Sequence, residues 1–69
     1  MWVKLTPNKM INTDTIAVFE KTVHWTLDGY AYCIDYTYAR ERDTFIQEYG
    51  SEDTRNAYFD SIYRQLNTP

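Results

Sequence analysis

Tyr30-Ala31-Tyr32-Cys33-Ile34-Asp35-Tyr36-Thr37-Tyr38 alternates without a slip. Tyr30, Tyr32, Ile34, Tyr36 and Tyr38 fall on one side of an extended chain, and Ala31, Cys33, Asp35 and Thr37 on the other. A strict period of two in β-branched and aromatic residues predicts a strand with two chemically distinct faces. Immediately before it stands Asp28-Gly29. Between two such runs this dipeptide predicts a tight hairpin of type I′, in which both central residues take positive φ. The strand feeding that hairpin is read from Ile16 to Lys21 and on through Thr22 to Leu27, with Val23, Trp25 and Leu27 on one face.

Toward the N-terminus, Met1, Val3 and Leu5 alternate with Trp2 and Lys4 as in a half-buried strand. Thr6-Pro7-Asn8-Lys9 is a turn, since Pro7 presets φ and Asn8 tolerates a left-handed conformation. Met10 to Asn12 returns as a short strand. Asn12, Thr13 and Asp14 then offer side chains that bond their own backbone and interrupt regular pairing. Toward the C-terminus, Arg40-Glu41-Arg42-Asp43 is a charged connection, and Thr44 to Tyr49 is a last strand or, as the alternative, the start of a helix. Gly50 ends it. Ser51 is a helix N-cap, and Glu52 and Asp53 sit in the first turn, where negative charge meets the positive end of the helix dipole. Tyr58, Phe59, Ile62, Tyr63 and Leu66 form an apolar stripe opposite Asp53, Asn56, Asp60 and Arg64. The reading is one α+β domain over 1–69: an antiparallel β-meander of four to five strands over about 1–49, packed by one amphipathic helix over about 51–66.

A chain of 69 residues buries only about 60% of its unfolded surface, so its stability is marginal without extra support. Cys33 is the single cysteine and His24 the single histidine. They leave no internal disulfide and no tetrahedral zinc set, and no cofactor is expected. Aromatic residues, 17% of the chain, leave dense packing and self-association as the remaining supports. A lone cysteine fits a reducing compartment, and no run approaches the roughly 20 apolar residues of a membrane helix. A cytoplasmic protein without membrane contact is expected. A net charge of −3, with the cations scattered among acids, disfavours binding to a phosphate backbone.

Four groups are candidates for chemistry. The row Tyr30, Tyr32, Tyr36 and Tyr38 is a stacking platform for bases if bare, or a cover for the helix or a second subunit if packed. His24 is a candidate switch or general base by residue type; Asp35 or Cys33 faces it only if the hairpin register puts them on one side, and a structural or exposed histidine is favoured. Cys33, at an alanine-like position flanked on its face by Ala31 and Asp35, reads as a small packed residue rather than a reactive thiol. Arg40 and Arg42 alternate with Glu41 and Asp43, which suits a soluble loop with weak ion pairs, or a cluster that sets register between subunits. No phosphate loop, nucleophile elbow or metal motif occurs, and an enzyme is not expected.

Val3-Lys4-Leu5-Thr6, Ile11-Asn12-Thr13-Asp14-Thr15-Ile16, the Leu27-Asp28-Gly29 turn and Tyr49-Gly50-Ser51-Glu52 before a helix resemble, in order and spacing, very short bacterial and phage proteins, including the flagellar FlbD type. In that type a meander of strands leads into one terminal helix. The resemblance implies a small accessory or interaction protein of a bacterium or mobile element, with no active-site residues to transfer. The strand Tyr30 to Tyr38 and the segment Thr44 to Tyr49 depart from the type, and a flagellar role is not carried over.

One helix stripe covers one sheet face, while aromatic residues are read onto parts of both. The expectation is therefore a self-associating protein-interaction module, a dimer, with Trp2, Trp25, Tyr30, Tyr32, Tyr36, Tyr38, Arg40 and Arg42 as the candidate interface or binding residues. The alternatives are a nucleic-acid or nucleotide binder using the tyrosine row, or an acidic inhibitor of a nucleic-acid-binding host protein.

Overall fold

A computed structural model of the chain describes residues 1–68. Strands β1 (Trp2–Thr6) and β2 (Lys9–Asn12) pair across the Pro7-Asn8 turn as a two-stranded antiparallel sheet. A single 3₁₀ turn, Thr13–Thr15, follows. Asn12 caps it by accepting from the Asp14 N–H at 3.1 Å, as its short polar side chain allows. Strands β3 (Ile16–Thr26), β4 (Gly29–Tyr38) and β5 (Thr44–Tyr49) then form an antiparallel sheet in sequence order, and helix α1 (Glu52–Leu66) closes the fold. The expected meander is thus real but divided into two sheets at the 3₁₀ turn. Thr44–Tyr49 is a strand, paired from Thr37↔Thr44 to Tyr32↔Tyr49. No helix among the described residues is long and apolar enough to cross a membrane.

The hairpin falls where it is expected, but its turn differs. Thr26 pairs with Gly29, Leu27 and Asp28 form the loop, and Gly29 alone has positive φ, at +110°. A type I′ turn would need positive φ at Asp28 as well. With no register shift at this end and Gly29 the sole positive-φ residue, the turn is a two-residue connection outside the primed classes. Thr26 selects it: its hydroxyl oxygen accepts from the Asp28 N–H at 3.1 Å, and the hydroxyl donates to the Gly29 carbonyl at 2.9 Å. Leu27, read as a strand residue, lies wholly exposed in the turn. At the other end of the sheet, Arg42 takes φ +60°, a costly conformation for a residue with a Cβ. It is held there by its N–H to the Tyr38 carbonyl and by the Tyr38 N–H to the Asp43 carbonyl, both at 2.9 Å.

The register decides what each face carries. Val23 stands opposite Tyr32 and Trp25 opposite Tyr30, while Thr22 stands opposite Cys33 and His24 opposite Ala31. The aromatic residues of β3 and β4 therefore share one face, and the expectation of two aromatic faces is corrected. The β1–β2 hairpin and α1 both lie on that aromatic face. Val3, Leu5 and Ile11 from the hairpin, Ile34 and Tyr36 from the sheet and Ile62 from the helix form the buried core. Tyr49 links the layers: its hydroxyl donates to the Leu5 carbonyl at 2.6 Å and its ring packs on Tyr58.

Ser51 caps α1 by accepting from the Thr54 N–H at 3.1 Å. The buried stripe of α1 runs through Arg55, Tyr58, Phe59 and Ile62. Tyr63 and Leu66, read as part of that stripe, are mostly exposed.

Candidate functional site

The covering layer stops short of the hairpin. Strand β5 pairs with β4 only from Tyr32 to Thr37, so His24–Thr26 and Gly29–Ala31 continue beyond it as a two-stranded arm. On the aromatic face of this arm, Trp25 and Tyr30 are cross-strand neighbours with ring centroids 3.9 Å apart. The stack nevertheless stays bare: Trp25 is 74% and Tyr30 62% exposed, and Val23 and Leu27 beside it are also exposed. Cross-strand aromatic pairs lock each other's rotamers, so the arm presents a pre-ordered apolar surface.

The other residues of the tyrosine row have different roles. Tyr36 is 3% exposed and belongs to the core, with Lys9 Nζ 5.6 Å from its ring; it is removed from the candidate surface. Tyr38 is half-buried, edge-on to Tyr36 and perpendicular to Phe45. Tyr32 is half-buried beneath Arg55, whose guanidinium carbon lies 5.5 Å from the ring centroid. Trp2 is exposed, but it lies in a separate groove between Lys4, Met10 and the helix residues Tyr58, Ser61 and Gln65. Arg40 lines a shallow groove of about 680 Å³ with Asp14, Tyr38, Glu41, Asp43 and Phe45. Three carboxylates against one guanidinium make that groove a poor phosphate site. No ion pair among the described residues joins Arg40 or Arg42 to Glu41 or Asp43, contrary to the reading of that loop.

Arg55 is the residue that sequence reasoning missed. It lies three residues before Tyr58 and four before Phe59, on the same helix stripe, yet its charge argued for the surface. It is 7% exposed. Its Nη1 donates to the Thr22 carbonyl at 2.8 Å and the Cys33 carbonyl at 3.2 Å, and its Nε donates to Asn56 Oδ1 at 2.8 Å. The stem packs while the head is satisfied by strand carbonyls. Arg55 thus marks the border between the covered ladder and the bare arm.

The opposite face of the ladder is polar. His24 Nε2 lies 3.0 and 3.1 Å from the two oxygens of Asp35, and Thr22 Oγ1 donates to Asp35 Oδ1 at 2.8 Å. The register thus does bring His24, Cys33 and Asp35 to one face. It does not make a nucleophilic dyad. The ring bonds the carboxylate, while the Cys33 thiol donates to the Ala31 carbonyl at 3.4 Å. Burial, and then the charges of Glu48 and Asp35, push the Cys33 thiol above its ordinary value. A thiol held protonated lacks the thiolate that attacks or binds metal. No group of three His, Cys, Asp or Glu among the described residues is placed to hold a metal ion.

Compared with protein-family models, with curated proteins and with solved structures, the chain matches none.

Proposed function

We propose that this protein is a small non-enzymatic interaction module of a reducing compartment that self-associates and engages protein through its hairpin arm. The observation that carries the reading is the Trp25–Tyr30 stack, ordered at 3.9 Å yet largely exposed. Contiguous exposed apolar surface marks protein contacts, and tryptophan and tyrosine are enriched in their centres. Rings already locked against each other lose little side-chain entropy on docking. The chemistry of the remaining groups agrees with this: the one thiol is buried and protonated, and the one histidine is held by a carboxylate.

The base-stacking alternative is weaker, because Tyr36 is buried and the guanidinium nearest the row, Arg55, is spent on strand carbonyls. Sedimentation velocity across a concentration series tests the proposal. Wild-type protein is expected to show concentration-dependent association that Trp25→Ala with Tyr30→Ala removes. A strict monomer at high micromolar concentration overturns self-association. Salt-sensitive fluorescence quenching by oligonucleotides favours the alternative.

A further inference from the structure

The outer edge of β3 is open. β3 runs eleven residues, Ile16–Thr26, against six for β5, and it pairs with β4 on one side only. Arg55 Nη1 touches the carbonyls of both Thr22 and Cys33, so these two paired residues turn their carbonyls toward each other across the ladder. Backbone groups alternate in direction along a strand. Those of Phe19, Lys21, Val23 and Trp25 therefore point off the sheet. Among the described residues no backbone hydrogen bond from outside the ladder reaches them. Of the devices that normally blunt an edge, β3 lacks proline and glycine and its irregularity lies at the far end, between Ile16 and Val18; the charged pair Glu20 and Lys21 is the one device it keeps, so a partner must answer those charges.

We infer that two copies of this chain pair antiparallel through their β3 edges, about a two-fold axis at Thr22, to make one continuous six-stranded sheet. This rests on the self-association reading above and names its partner and register. A two-fold axis through an antiparallel pair sets residues of the same face opposite one another, so the axis falls on a residue. Centring on Lys21 opposes lysine to lysine, and centring on Glu20 opposes glutamate to glutamate; both are unfavourable. Centring on Val23 runs Phe19 against the turn residue Leu27. Centring on Thr22 sets Lys21 against Val23, Glu20 against His24 and Phe19 against Trp25 of the second copy.

The charge pattern fits that choice. Within its own sheet Glu20 stands directly across from Asp35, a like-charge pair, and Asp35 is turned to Thr22 and His24. Among the described residues no cation pairs with Glu20. The Thr22-centred register places His24 of the second copy opposite it. On the aromatic face the exposed Trp25 meets Phe19, so the pairing also covers part of the bare arm.

Val23 supplies the test, because it is exposed in the single chain and faces Lys21 twice in the proposed dimer. Val23→Glu is expected to lower the dimer Kd by roughly three- to tenfold and Val23→Lys to raise it by as much, from two equivalent cross-strand pairs. Sedimentation equilibrium reads both, and far-ultraviolet circular dichroism checks that the fold is kept. Opposite shifts of this sign support the pairing. A dimer that weakens with both substitutions places Val23 against itself and overturns the register, and a dimer that responds to neither overturns the edge; in both cases self-association stands. A strict monomer overturns this inference and the self-association reading together.

Discussion

From Phe19–Tyr36 to Trp25–Tyr30 the same two strands carry the same alternation, rings and apolar residues on one face and small or polar residues such as Thr22, His24 and Asp35 on the other, yet the first end is covered and the second is bare. Ile34 and Tyr36 lie under Ile62 of the helix and Val3, Leu5 and Ile11 of the first hairpin. Trp25 and Tyr30 lie under nothing but each other. Residue type does not separate the two ends; the reach of the covering elements does. An aromatic row is therefore partly a core and partly a surface according to how far its lid extends, and here the boundary is Arg55.

Four substitutions break or sharpen this contrast. Ile34→Ala, at the centre of the covered end, is expected to lose about 3 kcal/mol in urea unfolding, because the side chain is wholly buried and a cavity remains. Arg55→Ala, at the border, is expected to cost about 2 kcal/mol, through charge-assisted bonds to two carbonyls and the packing on Tyr32. It should also raise amide exchange from Thr22 toward the tip, moving the border inward.

Tyr49→Phe, also at the covered end, is expected to cost about 1 kcal/mol at neutral pH by leaving the Leu5 carbonyl without its donor. It also has a signature in pH. Burial, with Tyr58 beside it, raises the folded phenol above its ordinary 10.0. The unfolded chain thus releases a proton that the folded chain retains. This contribution is fully present below about pH 10 and is lost as the pH climbs toward the folded value. Cys33, raised from 9.0, acts with the same sign from a lower starting point. Unfolding free energy followed from pH 8 to 12 should fall along the alkaline limb in wild type, and less steeply in Tyr49→Phe; equal slopes would show that Tyr49 is not protected. Trp25→Ala, at the bare end, is expected to cost under about 1 kcal/mol in the dilute monomer, since little but the Tyr30 stack is lost. A cost at the tip matching that of Ile34→Ala would erase the distinction between the ends.

Strands, turn positions and the helix cap were legible because they rest on local chemistry: alternation in Tyr30–Tyr38, Gly29 beside Asp28, Ser51 before Glu52 and Asp53. The faces were harder, since they depend on register and on coverage by residues distant in sequence. Trp25 and Tyr30, singled out as candidates, lie exposed together. Tyr36 looks the same as Tyr30 in sequence and is buried because β1–β2 happens to end above it. Tyr63 and Leu66 continue the helix stripe in sequence yet lie exposed. Arg55 was hidden by its charge, although its spacing placed it on the stripe. The grouping of His24, Cys33 and Asp35 needed the loop length of the hairpin, which the Asp28-Gly29 pair suggested but assigned to the wrong turn form.

The solitary thiol in the middle strand gives the fold a built-in reporter. Cys33 sits at the centre of β4, has no accessible surface and is held protonated. A thiol reagent can therefore modify it only in molecules whose ladder has parted. Its labelling rate, compared with that of a free thiol, measures how often the middle strand opens, with no engineered probe in the chain.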